Sequence, residues 1–235
     1  MAKLQPIGVT LITLGLSLCL TTPTRAEAIA VYEDPSTLTT NPCEAHLPQG
    51  LPKIPNSHPL VVRNLYCLSN NANTKFANWV AYTVRDELMD GPKRDRNFRG
   101  DPDLPRNATL EDSDYRGAYA TLDTNKGHLA PLGSFDAAED WYTVNYLSNI
   151  TPQRSALNQG VWGDLEDLER EMAATEPVYV ITGPAYLRDM DPLPGADESH
   201  VMPSGFWKIV TTSAGSKAYF FDQDTNAEEP EQGEI

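Results

Sequence analysis

The sequence is short of positive charge: 18 Lys and Arg stand against 33 Asp and Glu in 235 residues, a net charge of −15. Spread evenly, such a charge repels nucleic acid, so a polyanionic partner would require a local concentration of bases. Cysteine is scarce, with three residues. Apolar runs are short: the uncharged stretch from Ile7 to Leu20 falls below the roughly 20 residues needed to cross a bilayer as a helix, and no later segment comes closer. There is no internal repeat, no His-Glu-x-x-His zinc-protease helix and no Gly-x-Ser-x-Gly elbow. Asp222, Asp224 and Asn226 begin like a calcium loop, but Ala227 replaces the required glycine and Gly233 the closing glutamate.

What is present begins with an export pattern. Lys3 precedes the apolar run, and small residues follow around Thr24-Arg25-Ala26 or Ala26-Glu27-Ala28, so residues 1–26 read as a secretory signal peptide with cleavage after Ala26 or Ala28. The mature chain is then expected outside the cell or in a periplasm. It loses Cys19 and keeps Cys43 and Cys67, which predicts one disulfide. The bases are not evenly spread either. Lys93, Arg94, Arg96 and Arg99 form an island interrupted by Asp95, whereas the residues from Asp222 to Ile235 include no base. A local basic cleft on an acidic body is the expectation.

Residues 27–59, rich in Pro, Thr and Asn, read as an extended arm held by Cys43. Leu60 to Leu68, an Asn-rich turn and Lys75 to Val84 read as a β-hairpin. Asp86 to Thr121 carries few apolar anchors and reads as a long surface loop. Tyr142 to Ile150 resembles a buried strand, Asn158 to Met172 has helical spacing through Trp162, Leu165, Leu168 and Met172, and Val178–Thr182, Phe206–Thr212 and Lys217–Phe221 read as strands. This order predicts an α+β domain over residues 60–221 with a mainly antiparallel sheet, followed by a disordered acidic tail over 222–235.

Three stretches carry chemistry: Asn125-Lys126-Gly127-His128, Tyr146-Leu147-Ser148-Asn149-Ile150-Thr151-Pro152-Gln153, and Asn158-Gln159-Gly160-Val161-Trp162-Gly163-Asp164-Leu165-Glu166. Cleaving a phosphodiester needs a base for water, a cation at the leaving oxygen, and positive charge for the transition state. His128 is the candidate base, because a neutral imidazole accepts a proton at working pH. Asn158 reads either as the N-cap of the predicted helix or as an oxygen ligand for a hard cation, Mg²⁺ in particular. Glu166 stands eight residues further, roughly 12 Å along one continuous helix. It therefore reads as holding the cation's water shell, or as an exposed acid paired with Arg170 at i+4.

Together with Thr74-Lys75-Phe76-Ala77-Asn78-Trp79, Arg96-Asn97-Phe98, Thr182-Gly183-Pro184 and Pro203-Ser204-Gly205-Phe206-Trp207-Lys208, these stretches resemble the DNA/RNA non-specific endonuclease family. These are the ββα-metal (His-Me finger) nucleases, and the resemblance is strongest to their secreted, Serratia-type branch. It covers about residues 60–225. It implies His128 as general base, Asn158 as the direct ligand of Mg²⁺ (with Mn²⁺ as the other candidate), and Glu166 as a ligand through water. Arg96, Lys126 and Arg170 would complete the catalytic set, and Arg96, Arg170, Asn149 and Gln153 would contact the substrate, DNA or RNA. Lys126 and Asn125 stand where the family has Arg and Asp, and the chain is C-terminally short of the family pattern. The alternative expectation is a relative that binds nucleic acid or a partner without cutting.

Overall fold

The computed structural model describes residues 30–53, 58–225 and the backbone of 231–233. The expected signal peptide, Cys19 and both cleavage points lie outside these residues.

Eight strands form one antiparallel sheet. They are β1 (Ala30–Tyr32), β2 (Leu60–Val62), β3 (Tyr66–Asn71), β4 (Phe76–Val84), β7 (Val178–Ala185), β8 (Gly205–Thr212), β9 (Gly215–Asp222) and β10 (Glu231–Gly233), paired in that order. A separate two-stranded ribbon pairs β5 (Thr124–His128) with β6 (Ile150–Arg154), and α2 (Ser155–Gln159) and α3 (Val161–Ala173) follow directly. A short α1 (Ala118–Leu122) precedes β5. The large sheet is mostly antiparallel and the few helices are short, so the α+β expectation holds.

The sheet is buried on both faces because its strands alternate apolar residues of two sets. Tyr66, Leu68, Val80 and Tyr82 join the main core under α3, while Cys67, Trp79 and Ala81 point into a second cluster with Cys43, Leu47 and Leu60. Residues of the N-terminal arm thus cover the second face, pinned by the Cys43–Cys67 disulfide with Cα atoms 6.0 Å apart. On α3 the buried residues Val161, Trp162, Leu165, Glu169 and Ala173 form one stripe. Trp162 meets the edges of Phe206 and Phe221, each with ring centroids 5.6 Å away.

Several expectations are corrected. The run Leu60–Leu68 holds β2 and the start of β3, separated by a turn that the Arg63 N–H closes on the Tyr66 carbonyl (2.9 Å), with the Arg63 side chain in a buried ion pair with Asp101 (2.5 Å) and Asp103 (2.8 Å). Residues 86–121 are not merely a surface loop: Leu110, Tyr115 and Ala118 build a third apolar cluster with Phe76, Leu147 and Ile150. Tyr142–Ile150 is not a strand but two 3₁₀ helices, Trp141–Asn145 and Leu147–Asn149. Its buried residues belong to tight turns, which Asn149 ties to the segment after His128 by donating to the Val144 and Ala130 carbonyls, not to an alternating pattern. The helix expected from Asn158 is broken at Gly160 (φ −104°, ψ −121°), so Asn158 lies in the last turn of α2 and is not an N-cap.

The acidic tail does not begin disordered at Asp222. Gln223 is buried; its amide donates to the carbonyls of Pro152 (2.8 Å) and Pro203 (3.2 Å) and accepts from the Arg154 N–H (2.9 Å). Asp222 and Asp224 pair with Arg188, and β10 adds to the edge of β9. Backbone and amide partners offset the lack of apolar side chains there.

Candidate active site

The β5–β6 ribbon and the α2–α3 pair enclose a cleft of about 720 Å³. It is lined, among others, by Arg96, Lys126, His128, Asn158, Glu166 and Arg170, so six of the eight residues singled out for chemistry or substrate contact meet at one place. Asn149 and Gln153 do not. Both are fully buried, and the expectation that they contact substrate is corrected. Asn149 accepts from the Ala130 N–H (2.9 Å) and donates to the carbonyls of Ala130 (2.9 Å) and Val144 (2.8 Å), tying together the turn after His128. Gln153 packs against Gly127, where any Cβ would fall 1.9 Å from its Oε1. The glycine before His128 is thus required by a neighbour's bulk.

His128 closes β5 and is only 9% exposed. Its Nε2 lies 2.9 Å from Asn145 Oδ1, while Asn145 Nδ2 donates to the Asp95 carbonyl at 3.1 Å. Because the Asp95 carbonyl can only accept, the Asn145 amide must present its oxygen to the ring, so Nε2 carries the proton and Nδ1 keeps a lone pair. Burial lowers the His128 pKa to about 4; the Asn145 hydrogen bond opposes this and the Arg96 charge adds to it. The imidazole is therefore neutral near pH 7 and able to accept a proton. Phe98, tilted at 38° with its centroid 5.5 Å away, covers the ring.

The cations differ in how they are held. Lys126 is paired with Asp112 and sits over Phe98 (4.9 Å) and Tyr115 (5.5 Å). Arg170 pairs with Asp167 at i+3, not with Glu166. It also reaches toward Gly133, the absent side chain leaving room for its guanidinium. Arg96 is exposed, and among the described residues no carboxylate pairs with it.

Glu166 is half-buried on α3, with the Trp162 indole facing it. Burial pushes its carboxyl up to about 7, the charges of Lys208 and Arg170 act downward and that of Glu169 upward. One turn along, Glu169 is fully buried. It accepts from Lys208 Nζ (2.8 Å) and Tyr82 OH (2.8 Å), and Lys208 lies 4.2 Å from the Trp162 ring centroid. This network fixes α3 to β4 and β8 and so sets where Glu166 faces. Because Gly160 ends α2, Asn158 and Glu166 are on separate helices, and the separation expected along one helix does not apply.

Asn158 and Glu166 offer oxygen atoms, one neutral and one anionic, and the Asn158 amide has no hydrogen-bond partner among the described residues. That donor set suits a hard divalent cation that keeps most of its water. A separate acidic group, Asp114, Asp197 and Glu198, is the one cluster of three potential ligands among the described residues. None of the three lines the cleft. Sequence reasoning missed Asn145, because its segment read as a strand, and gave Phe98 no role beyond its place in the Arg96-Asn97-Phe98 motif.

A two-stranded ribbon whose first strand ends in a neutral histidine, followed by two helices that each offer one oxygen atom, defines a ββα-metal type of nuclease. A family model described as DNA/RNA non-specific endonuclease matches residues 51–231, and the chain belongs to this family of hydrolytic nucleases. It is 45% identical over 184 residues to a nuclease of Serratia marcescens, a match covering 75% of this chain and 69% of that protein. It is 32% identical to a nuclease of a Nostoc species (67% of this chain, 56% of that protein). To human mitochondrial endonuclease G it is also 32% identical (68% and 57%). The chain thus spans little more than half the length of the latter two. The fold is shared with a structure entitled as the EndoG/EndoGI complex, with a TM-score of 0.68 at 21% identity, covering 84% of this chain and 88% of that one.

Proposed function

We propose that this chain is an exported, sugar-non-specific endonuclease that hydrolyses DNA and RNA to products bearing 5′-phosphates, its nuclease body preceded by an arm and a cleaved signal peptide. The single observation that carries this reading is the convergence on one cleft of a neutral His128, Asn158, Glu166, Arg96 and Arg170. Lys126 shares the cleft, already paired with Asp112. The Cys43–Cys67 disulfide fits an oxidising compartment.

Asn158, through its amide oxygen, and Glu166, through intervening water, are the residues that would hold Mg²⁺ or Mn²⁺. When bound, such an ion supplies Lewis-acid stabilisation to the departing 3′-oxygen. His128 Nδ1 accepts a proton from the attacking water, whose oxygen bonds to phosphorus as the P–O3′ bond breaks. The resulting imidazolium is stabilised by Asn145 Oδ1, which accepts the Nε2 proton in a hydrogen bond throughout. Arg96 and Arg170 neutralise charge on the non-bridging oxygens. The 3′-oxygen takes its proton from solvent. Contacts to phosphate, not to base edges, account for a lack of sequence preference.

The test is a gel assay on the purified mature protein with plasmid DNA and with RNA. Degradation is expected with Mg²⁺, none in EDTA, and a loss of about 10²–10⁴-fold for His128→Ala; no metal-dependent degradation of either polymer rejects the reading. The alternative, a relative that binds without cutting, draws on the Lys126–Asp112 pair, which neutralises one cation of the cleft. An inactive wild type whose Lys126→Arg variant also shows no turnover would favour it.

A further inference from the structure

Beside the cleft runs a strip of which the hydrolytic chemistry uses Arg96 but neither Arg94 nor Arg99. Residues 93–99 lie along the 3₁₀ helix Trp141–Asn145: Asn145 Nδ2 donates to the Asp95 carbonyl (3.1 Å), the Arg99 N–H to the Asn145 carbonyl (3.3 Å), and Arg99 forms a parallel bridge with Tyr146. This register sets the Arg94 guanidinium 5.0 Å from the Trp141 ring centroid and that of Arg99 4.8 Å from Tyr142. Arg94 Nε also donates to the Asp136 carbonyl at 2.7 Å, three residues beyond Gly133 on the cleft wall. With Arg96 lining the cleft between them in sequence, the strip is continuous with the site.

Its charges are not neutralised internally. Arg63, Arg106, Lys126, Arg154, Arg170, Arg188 and Lys208 each pair with a carboxylate; among the described residues Arg94, Arg96 and Arg99 do not. In a chain of net charge −15, three neighbouring guanidinium groups that outnumber the one acid in their run, Asp95, and form no ion pair with it are available to an outside anion. The rings already reduce the mobility of Arg94 and Arg99, so less entropy is lost when phosphate binds. Glu139 and Asp140 line a neighbouring hollow with Tyr142 and repel a polyanion there, confining its path to the arginine side.

We propose that this strip is a track for the nucleotides flanking the scissile phosphate of a single strand, Arg94 and Arg99 taking backbone phosphates and the guanidinium–ring pairs stacking against unpaired bases. A duplex keeps its base faces internal and cannot use such stacking surfaces. The assignment rests on the nuclease reading above and extends it to substrate length and strandedness.

The test compares wild type with Arg94→Gln/Arg99→Gln on labelled single strands of about 16 and about 4 nucleotides, lengths bracketing typical single-strand site sizes. On the longer strand KM should rise about tenfold with kcat within about twofold, and the slope of log KM against log salt should shrink by about 1.4, at about 0.7 for each of the two phosphates no longer neutralised. The KM difference between the two lengths should narrow. Trp141→Leu should move KM in the same direction, and Lys217→Gln, an exposed base on β9, should move nothing. An unchanged KM and slope for the double variant overturns the track. Equal losses on both lengths, carried by kcat, overturn it too, by making these arginines supports for Arg96. If the wild type cuts nothing, the nuclease reading falls instead, and the salt slope of anisotropy binding to the same strands decides the track independently.

Discussion

Asn145 offers a sharp perturbation of the proposed chemistry because it touches His128 and lines no part of the cleft. In Asn145→Ala the Nε2–H of a nearly buried ring loses its acceptor, which costs about 1–3 kcal/mol. The proton is then free to move to Nδ1, the atom required as base, and the ring to turn toward other partners. If half to nearly all of the stabilisation of the developing imidazolium is lost with it, kcat falls about 10- to 100-fold at about 1.4 kcal/mol per factor of ten. Asn145→Asp separates orientation from charge. A carboxylate in the same place, near 2.9 Å from Nε2, keeps the tautomer but raises the imidazole pKa by about 1–3 units. The acid limb of kcat/KM, set near pH 4 by the burial-lowered pKa of His128, should therefore move to between about pH 5 and 7. Thermal melts identify variants that fail to fold, and initial rates from about pH 4 to 9 on a fluorescent oligonucleotide give the limb. A profile for Asn145→Asp that overlays the wild type, or full activity in Asn145→Ala, would refute the assignment of Nδ1 as the base.

The remaining predictions concern stability. His46, 5% exposed between Thr83 and the Arg63 carbonyl, has its pKa lowered to about 4, chiefly by burial. The unfolded chain binds that proton near pH 6.5 and the folded chain resists it to about 4. Stability is thus fully present above pH 6.5 and lost as pH falls through this window, by about 3 kcal/mol for this residue; urea melts of a folded His46→Gln should show a shallower decline. Cys43→Ser/Cys67→Ser, opening a loop closed across 24 residues, should cost about 3 kcal/mol by chain entropy, and a melting temperature unmoved by reduction would count against that. Lys208→Met strands the buried Glu169 carboxylate and should cost about 3–5 kcal/mol, whereas Lys208→Met/Glu169→Leu should recover much of it; a double variant no more stable than the single one would show that the pair does more than satisfy its own charges.

Features that rest on local rules are legible in the amino-acid sequence alone. Strand alternation in Phe76–Val84 and Gly205–Thr212 and the cysteine arithmetic belong to this kind, whereas the grouping of His128, Asn158 and Glu166 comes from the order of several motifs and the family resemblance they carry. What is not legible depends on neighbours remote in sequence. Asn145 serves His128 only because the chain folds it back across 17 residues, and an apolar run with buried polar residues is indistinguishable from a strand by pattern alone. Gln153 stands in a promising motif, yet its side chain fills the space vacated by Gly127. Gly160 divides a helical pattern because one residue's backbone conformation outweighs fourteen of favourable spacing. The buried Arg63–Asp101 and Lys208–Glu169 pairs leave no trace in sequence, since charged residues read as surface until a partner is known.

The net charge, the strongest compositional objection to a nucleic-acid substrate, is resolved by distance. At physiological ionic strength a charge is screened over about 8 Å, so a strand in the cleft responds to the groups within that radius and not to the chain's sum. Of the acids nearby, Asp112 is engaged by Lys126 and Asp167 by Arg170, the Glu166 carboxyl is held up near 7 by burial, and Asp95 stands exposed among the arginines. Elsewhere Asp222 and Asp224 are tied to Arg188, and Asp101 and Asp103 to Arg63. Arginines 94, 96 and 99, which form no ion pair among the described residues, therefore outweigh Asp95 and leave a local surplus of positive charge for a polyanion. Where the bases stand, and which of them lack partners, decides what this acidic chain can hold.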